Sequence, residues 1–173
     1  MTDNERRMSV SAHRSAAPTA VPCFVLTVSD TRTLDTDKSG AAIVELLSLA
    51  GHTIADRRIV KDDALAVSDA VRGRLNGPAR AIITTGGTGI AGRDMTYEAV
   101  SALFDKTLDG FGELFRMLSY QQIGSAAMLS RACAGVAKGK VIFVLPGSEA
   151  AVRLAMERLI IPELGHIVGE LAK

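Results

Sequence analysis

Three β-prone stretches, at residues 24–28, at 53–60 and from residue 81 into a glycine-rich loop, alternate with two segments whose apolar residues recur at helical spacing. In the first of these segments Ile43, Leu46, Leu47 and Ala50 share one face, which predicts a helix over 39–50 with Gly51 as its stop. In the second, Ala64, Val67, Val71 and Leu75 form the stripe, Asp62 or Asp63 can cap it, and Asn76, Gly77 and Pro78 end it. Strands joined by short loops and intervening helices must run parallel through right-handed crossovers, with helices covering the sheet. Beyond residue 95 the rhythm changes. Helices are expected over 96–104 and 110–122, with a turn or two at 126–131. Residues 132–137 and 140–145 flank Lys138-Gly139, a break suited to a hairpin, so one antiparallel strand should join the sheet. A closing helix over 148–160 would bury Ala151, Leu154, Ala155 and Leu159, and a short helix should follow Pro162. At 173 residues and 47% hydrophobic content, the chain has material for one α/β domain and not for two.

The third strand empties into Thr84-Thr85-Gly86-Gly87-Thr88-Gly89, followed by Arg93, Asp94 and Thr96. Glycines allow positive φ and close approach of backbone N–H groups to a ligand, and the threonines add hydroxyls that can bond phosphate oxygens. The plainer reading is a tight strand-to-helix turn. A Walker A loop is excluded because no lysine lies between Lys61 and Lys106. The string Gly87-Thr88-Gly89-Ile90-Ala91-Gly92 matches G-x-G-x-x-G, but a dinucleotide site starts its helix inside that string. Here the next N-cap is Thr96, with Glu98 in the first turn, so a nicotinamide-dependent oxidoreductase is the weaker alternative.

In this topology Ser29, Asp30, Asp62, Asp63, the glycine loop and Pro146-Gly147-Ser148 all lie just past the carboxyl ends of strands, where open α/β sheets bind ligands. Asp62 is either a helix cap or a functional acid. Asp94 follows the loop without helical periodicity, so it should face whatever the loop holds. An acid beside a polyphosphate repels it unless a divalent cation lies between, and phosphate loop plus aspartates therefore implies Mg2+.

The remaining composition excludes several classes. Twenty basic residues balance 19 acidic ones with no long run of either, so neither a nucleic-acid footprint nor a polybasic membrane patch is expected. Residues 1–22 are polar and lack an apolar signal core, which predicts a flexible tail before a single domain at 23–173. Cys23 and Cys133 sit beside apolar strand sequence and read as reduced, buried thiols of a cytoplasmic protein. His52 and His166 stand beside helix ends, where capping or exposure accounts for them. Residues 110–131 carry Phe111, Leu114, Phe115, Leu118, Met128 and Leu129, more apolar surface than one monomer can bury, which predicts self-association.

At several of these positions the sequence resembles the molybdenum cofactor biosynthesis family that includes the MoaB and MogA proteins and the related domain of gephyrin. The resemblance runs from about residue 24 to 171. It is carried by Leu26-Thr27-Val28-Ser29-Asp30, the glycine loop with Arg93, Asp94 and Thr96, and Leu145-Pro146-Gly147-Ser148. Residues 110–120, with Ile123-Gly124 and 126–131, are similar to the B-type members. The resemblance implies a three-layer α/β/α sandwich, a homo-trimer or homo-hexamer, contacts with other proteins of the molybdenum cofactor pathway, and molybdopterin and ATP as substrates with Mg2+. In adenylating members the terminal phosphate of molybdopterin attacks the α-phosphate of ATP, giving adenylyl-molybdopterin and pyrophosphate. By this resemblance Asp62 and Asp94 would be catalytic and metal-organising. Gly86, Gly87, Thr88 and Gly89 would cradle the nucleotide phosphates, and Thr85 and Thr96 would also be cofactor-binding. Ser29, Asp30, Pro146, Gly147 and Ser148 would line the pterin side. Glu149 stands where the family often has proline. A non-catalytic molybdopterin-binding or scaffolding role is the alternative.

Overall fold

The structure, a computed structural model, describes residues 17–173. Strand β1 (Pro22–Val28), helix α1 (Lys38–Leu49), β2 (Thr53–Val60), α2 (Ala64–Arg72) and β3 (Ala81–Thr85) follow in the expected alternation. Then come α3 (Thr96–Ser101), β4 (Lys106–Thr107), α4 (Asp109–Ile123), a 3-10 segment at Gly124–Leu129, β5 (Cys133–Ala137) and β6 (Lys140–Leu145). Helix α5 (Glu149–Ala155) continues through a π turn at Met156–Ile160 into α6 (Ile161–Glu170).

The strands form one six-stranded sheet in the order β2-β1-β3-β6-β5-β4. β1, β2, β3 and β6 are mutually parallel, and β5 alone runs against the rest. Side chains alternate between two cores. Val25, Ile83 and Phe143 meet α1, α4, α5 and α6 on one face, while Leu26, Ile82 and Val144 meet α2 and α3 on the other. Burial on both faces is why β1, β3 and β6 read as nearly unbroken apolar runs, each large aliphatic side chain contributing about 1.5–3 kcal/mol. The three-layer α/β/α sandwich is the architecture of the protein.

Several local expectations change. The chain joins the domain before residue 23: Val21 is fully buried, and Gly165 of α6 leaves room for the Pro18 carbonyl, which a β-carbon there would meet at 2.5 Å. Of the tail expected over 1–22, residues 1–16 lie outside the described residues. The closing helix and the helix after Pro162 form one rod. Its π turn inserts an extra residue into the register, so Val152, Met156 and Ile160 are fully buried while Ala151 and Leu159 are only half-buried. Pro162 falls in the first turn of α6, where its missing N–H is harmless. Strand β4, two residues long, carries no periodicity by which to find it. His52 neither caps a helix nor faces solvent: it is buried, and its Nδ1 accepts the Val21 N–H at 3.2 Å. Burial pushes its pKa down, which keeps the ring neutral. Among the described residues no helix is long and apolar enough to cross a membrane.

Candidate functional site

β2 lies on one side of β1 and β3 on the other, with α1 and α2 on opposite faces, so the chain changes direction between β1 and β3. That is where a parallel sheet opens a crevice at its carboxyl edge. A cavity of about 370 Å3 occupies it, lined among others by Thr27, Ser29, Arg32, Gly86, Gly87 and Ser148.

The glycine loop divides into a structural half and a free half. Gly86 has φ of +97° and its N–H donates to the Leu145 carbonyl at 3.2 Å. A β-carbon on it would lie 2.2 Å from the Val28 carbonyl oxygen, so only glycine lets these backbones meet. Two expected phosphate ligands are used up in the same way. The Thr84 hydroxyl donates to the Phe143 carbonyl at 3.3 Å and the Thr85 hydroxyl to the Pro146 carbonyl at 2.8 Å, tying β3 to the end of β6. Within the glycine loop the N–H groups of Gly87, Thr88 and Gly89, with the Thr88 hydroxyl, have no hydrogen-bond partner among the described residues. Gly87, at φ +64°, presents its α-carbon to Thr96 and Asp62: a β-carbon would sit 2.2 Å from Thr96 Oγ1 and 2.7 Å from Asp62 Oδ1. Gly89 does the same toward Asp94, at 2.4 Å from Oδ2.

The two aspartates after β2 have separate tasks. Asp63 is the cap of α2, its carboxylate accepting the Ala66 N–H at 2.8 Å. Asp62 is thereby released from capping. Its N–H donates to Asp30 Oδ1 at 3.1 Å, and its Oδ1 is buried with no hydrogen-bond partner. Asp30 thus stands beside Asp62 and does not line the cavity. Burial raises the Asp62 pKa above the ordinary carboxylate range, and the nearby Asp94 and Asp30 charges raise it further, with Arg93 opposing. Asp94 accepts the Ala91 N–H at 3.1 Å, which closes a small turn beneath the glycine loop. Thr96 is not an N-cap. Met95 precedes α3 without a side-chain cap, while Thr96 is its first residue and donates its N–H to the Gly87 carbonyl at 2.9 Å. The Thr96 hydroxyl is fully buried and unpartnered.

These oxygens fit Mg2+ on chemical grounds. A carboxylate oxygen and a hydroxyl, both buried and both without partners, flank a space that a single β-carbon at Gly87 would fill. Hard oxygen donors suit that ion. Among the described residues no three His, Cys, Asp or Glu side chains converge. An ion that binds through one or two carboxylates and shares its other positions with phosphates and water needs no such cage.

Across Gly86 and Gly87 the cavity has a different character. Ser29 Oγ accepts the N–H groups of Thr31 and Arg32 at 3.3 and 3.1 Å, shaping the loop after β1. Ser148 caps α5 through Ala151, and the Gly147 carbonyl accepts the Ser39 hydroxyl at 2.7 Å. Pro146 contributes its carbonyl to Thr85 and does not line the cavity. Four lining residues escaped the sequence reading: Arg32, Asp37, Lys38 and Ser39. The Asp37-x-Ser39-Gly40 spacing signals a cap one residue before Lys38, since Asp37 accepts the Gly40 N–H at 2.9 Å. Asp37 is also bonded by Thr27 at 2.7 Å and by Arg57 at 3.0 Å. Burial alone would raise its pKa, but these hydrogen bonds and the guanidinium charge outweigh burial and hold it low. Glu149 pairs with Arg153 at 3.0 Å, and the same guanidinium is shared with Glu45 at 3.0 Å. Arg32 and Lys38 have no ion-pair partner among the described residues, so the cavity's acids are paired while its cations are available to an anion.

Known proteins share this sequence and this fold. The family profile described as "Probable molybdopterin binding domain" matches residues 24–166. The chain is 55% identical to molybdenum cofactor biosynthesis protein B of Halalkalibacterium halodurans over 170 residues, 96% of this chain and 99% of that one. It is 54% identical to the protein of the same name from Bacillus subtilis over 168 residues, 96% and 99% of the two chains. A crystal structure of a molybdenum cofactor biosynthesis protein B superimposes with a TM-score of 0.88 at 55% identity, covering 90% of this chain and 98% of that one. The tungsten cofactor synthesizing protein MoaB from Pyrococcus furiosus gives 0.82 at 40% identity, covering 91% and 100%. Matched over nearly their full length by relatives of one kind, the glycine loop, the freed Asp62 and the cationic cavity are features of a chain that belongs to the molybdopterin-binding-domain family of molybdenum cofactor biosynthesis proteins.

Proposed function

We propose that the protein adenylylates molybdopterin, using Mg·ATP and releasing pyrophosphate. The observation that carries this reading is the pair of buried, unpartnered oxygens, Asp62 Oδ1 and Thr96 Oγ1, behind the free N–H groups of Gly87, Thr88 and Gly89. A protein that only held a pterin would gain nothing from an unsatisfied carboxylate there, since leaving such a group buried costs about 1–3 kcal/mol or more.

In this reading the N–H groups of Gly87, Thr88 and Gly89 bind the triphosphate, and Arg32 and Lys38 bind the negatively charged substituents of molybdopterin in the cavity. Mg2+ would be held by Asp62, Asp94 and Thr96 together with phosphate oxygens, and when bound it supplies positive charge against the triphosphate. A terminal phosphate oxygen of molybdopterin forms a bond to the α-phosphorus of ATP, the bond from that phosphorus to the bridging oxygen breaks, and pyrophosphate departs with the electron pair. A phosphate monoester is largely ionised at neutral pH, so no general base is required, and positioning with charge neutralisation carries the rate. The metal subsequently inserted is molybdenum or tungsten.

Assembly belongs to the same reading. Phe115 is fully buried and Phe111 and Leu118 are half-buried, so these three are core, but Leu114, Met117, Ile123, Met128 and Leu129 are 47–80% exposed on α4 and the 3-10 segment. We assign this surface to contacts in a closed homo-trimer or homo-hexamer.

The test measures pyrophosphate released from ATP with Mg2+, with and without molybdopterin. Release that requires molybdopterin supports adenylylation. Tight molybdopterin binding with no release under any condition overturns it in favour of a binding protein.

A further inference from the structure

Arg131 stands between the 3-10 segment and β5, outside the cavity and the carboxylates, yet its guanidinium holds the glycine loop. Nη1 donates to the Gly89 carbonyl at 3.1 Å, Nη2 pairs with the Glu98 carboxylate, and the same group lies 4.7 Å over the Tyr97 ring. It is only about a quarter exposed. Its backbone is rigidly placed: Ala132 beside it is buried, and the Ala132 carbonyl packs on Gly112 of α4, 3.0 Å from where a β-carbon there would lie.

The loop itself is weakly tied. Between Gly87 and Thr96 its internal bonds are the turn of Ala91 with Asp94, and Thr96 to Gly87 closes its base. Asp62, from the end of β2, approaches the Asp94 carboxylate, and among the described residues the hydrogen bond from Arg131 is the one that holds the loop backbone at Gly89 from another part of the fold. Gly89 in turn packs its α-carbon directly on the Asp94 carboxylate. Fixing the Gly89 peptide therefore fixes both the N–H groups of the loop and the place of Asp94. A planar guanidinium can do this because it offers several donors in one rigid fork and stacks on an aromatic face, while a lysine offers a single mobile charge.

We infer that Arg131 is a positioning residue for the Mg·ATP half of the site, acting through Gly89 on the phosphate loop and on Asp94. The inference rests on the reading of that half as the nucleotide site. Losing an outer partner of a metal ligand weakens metal affinity or activity by about 10–100-fold. The expected signature is selective: Arg131→Ala raises the Mg2+ concentration for half-maximal rate and the KM for ATP by at least about tenfold, while the KM for molybdopterin moves less than about twofold.

The experiment compares wild type, Arg131→Ala, Arg131→Lys and Glu98→Gln in pyrophosphate release, and in Mn2+ binding in the presence of a non-hydrolysable ATP analogue followed by electron paramagnetic resonance. Thermal melts accompany each variant. Arg131→Lys should melt near wild type, because it keeps the charge beside Glu98, yet remain defective in Mn2+ binding. Glu98→Gln, which leaves the bond to Gly89, should lose much less. Full recovery in Arg131→Lys, equal losses for both substrates, or losses that follow only the melting temperature would overturn the assignment. Should wild type release no pyrophosphate yet bind Mn2+ with the analogue, the adenylylation reading falls and the Mn2+ comparison alone decides Arg131. Wild type that binds neither Mn2+ nor the analogue refutes both.

Discussion

Replacing Gly87 by alanine adds one methyl group, and the structure says where it must go. At φ +64° an L-residue other than glycine costs about 1–2 kcal/mol. The methyl would lie 2.2 Å from Thr96 Oγ1 and 2.7 Å from Asp62 Oδ1, well inside contact distance, so Thr96 must rotate or the loop must move by on the order of 1 Å. Together these give about 2–3 kcal/mol of destabilisation. For a chain of this size that is a fall in Tm of roughly 5–10 °C. A shift of about 1 Å at a reacting centre costs on the order of a hundredfold in rate, so pyrophosphate release should fall by far more than the loss of folded protein accounts for. Calorimetric titration should show the loss in nucleotide affinity, with molybdopterin affinity nearly unchanged. Gly92→Ala is the control, since nothing lies within 4 Å of its new methyl group and its φ is not positive. Thr96→Ala in the Gly87→Ala background should recover part of the Tm, because the closer of the two clashes is then gone. A Gly87→Ala protein with the melting temperature and nucleotide affinity of Gly92→Ala would refute the reasoning.

Asp62→Asn should raise stability in metal-free buffer at neutral pH while abolishing transfer. The Asp62 carboxyl has a raised pKa in the folded state, so its contribution to stability is full below the unfolded pKa and is lost as pH rises through the folded one. Removing the charge removes that penalty, and a lower Tm would contradict it. Asp63→Ala, by contrast, loses the α2 cap at a cost of about 1 kcal/mol and should leave turnover per folded molecule intact, which a melt and a pyrophosphate assay together would check. Met117→Glu should shift the protein to smaller species in light scattering, because a charge enters a surface now half-exposed and apolar; an unchanged particle mass moves the interface elsewhere. Cys23 is buried as expected but Cys133 is only half-buried; desolvation pushes their thiols up to about 12 and about 11, so neither should alkylate appreciably with iodoacetamide at pH 8 until the protein is unfolded. Rapid labelling of the native protein would show that the burial is wrong.

The order of strands and helices was legible in the sequence because a parallel sheet buried on both faces writes itself as continuous apolar runs, and amphipathic helices write theirs at a period of 3.6. The glycine loop was legible for the same local reason, since positive φ is available to few residues. What each loop residue faces was not. Thr84 and Thr85 look identical in sequence to phosphate ligands, and only pairing with β6 turns their hydroxyls onto the carbonyls of Phe143 and Pro146. Asp62 and Asp63 are equal as caps until the end of β2 fixes which carboxylate reaches Ala66, leaving the other beside Thr96, 34 residues later in the chain. Arg32, Asp37 and Lys38 carry no periodic signal, and they enter the site only because β1 lies between β2 and β3, bringing the loop after β1 against Gly147 and Gly86. Local patterns determined the elements of this protein because burial and backbone geometry act over a few residues. The tertiary structure decided the site, because a donor's or acceptor's role depends on which distant group the sheet register sets against it.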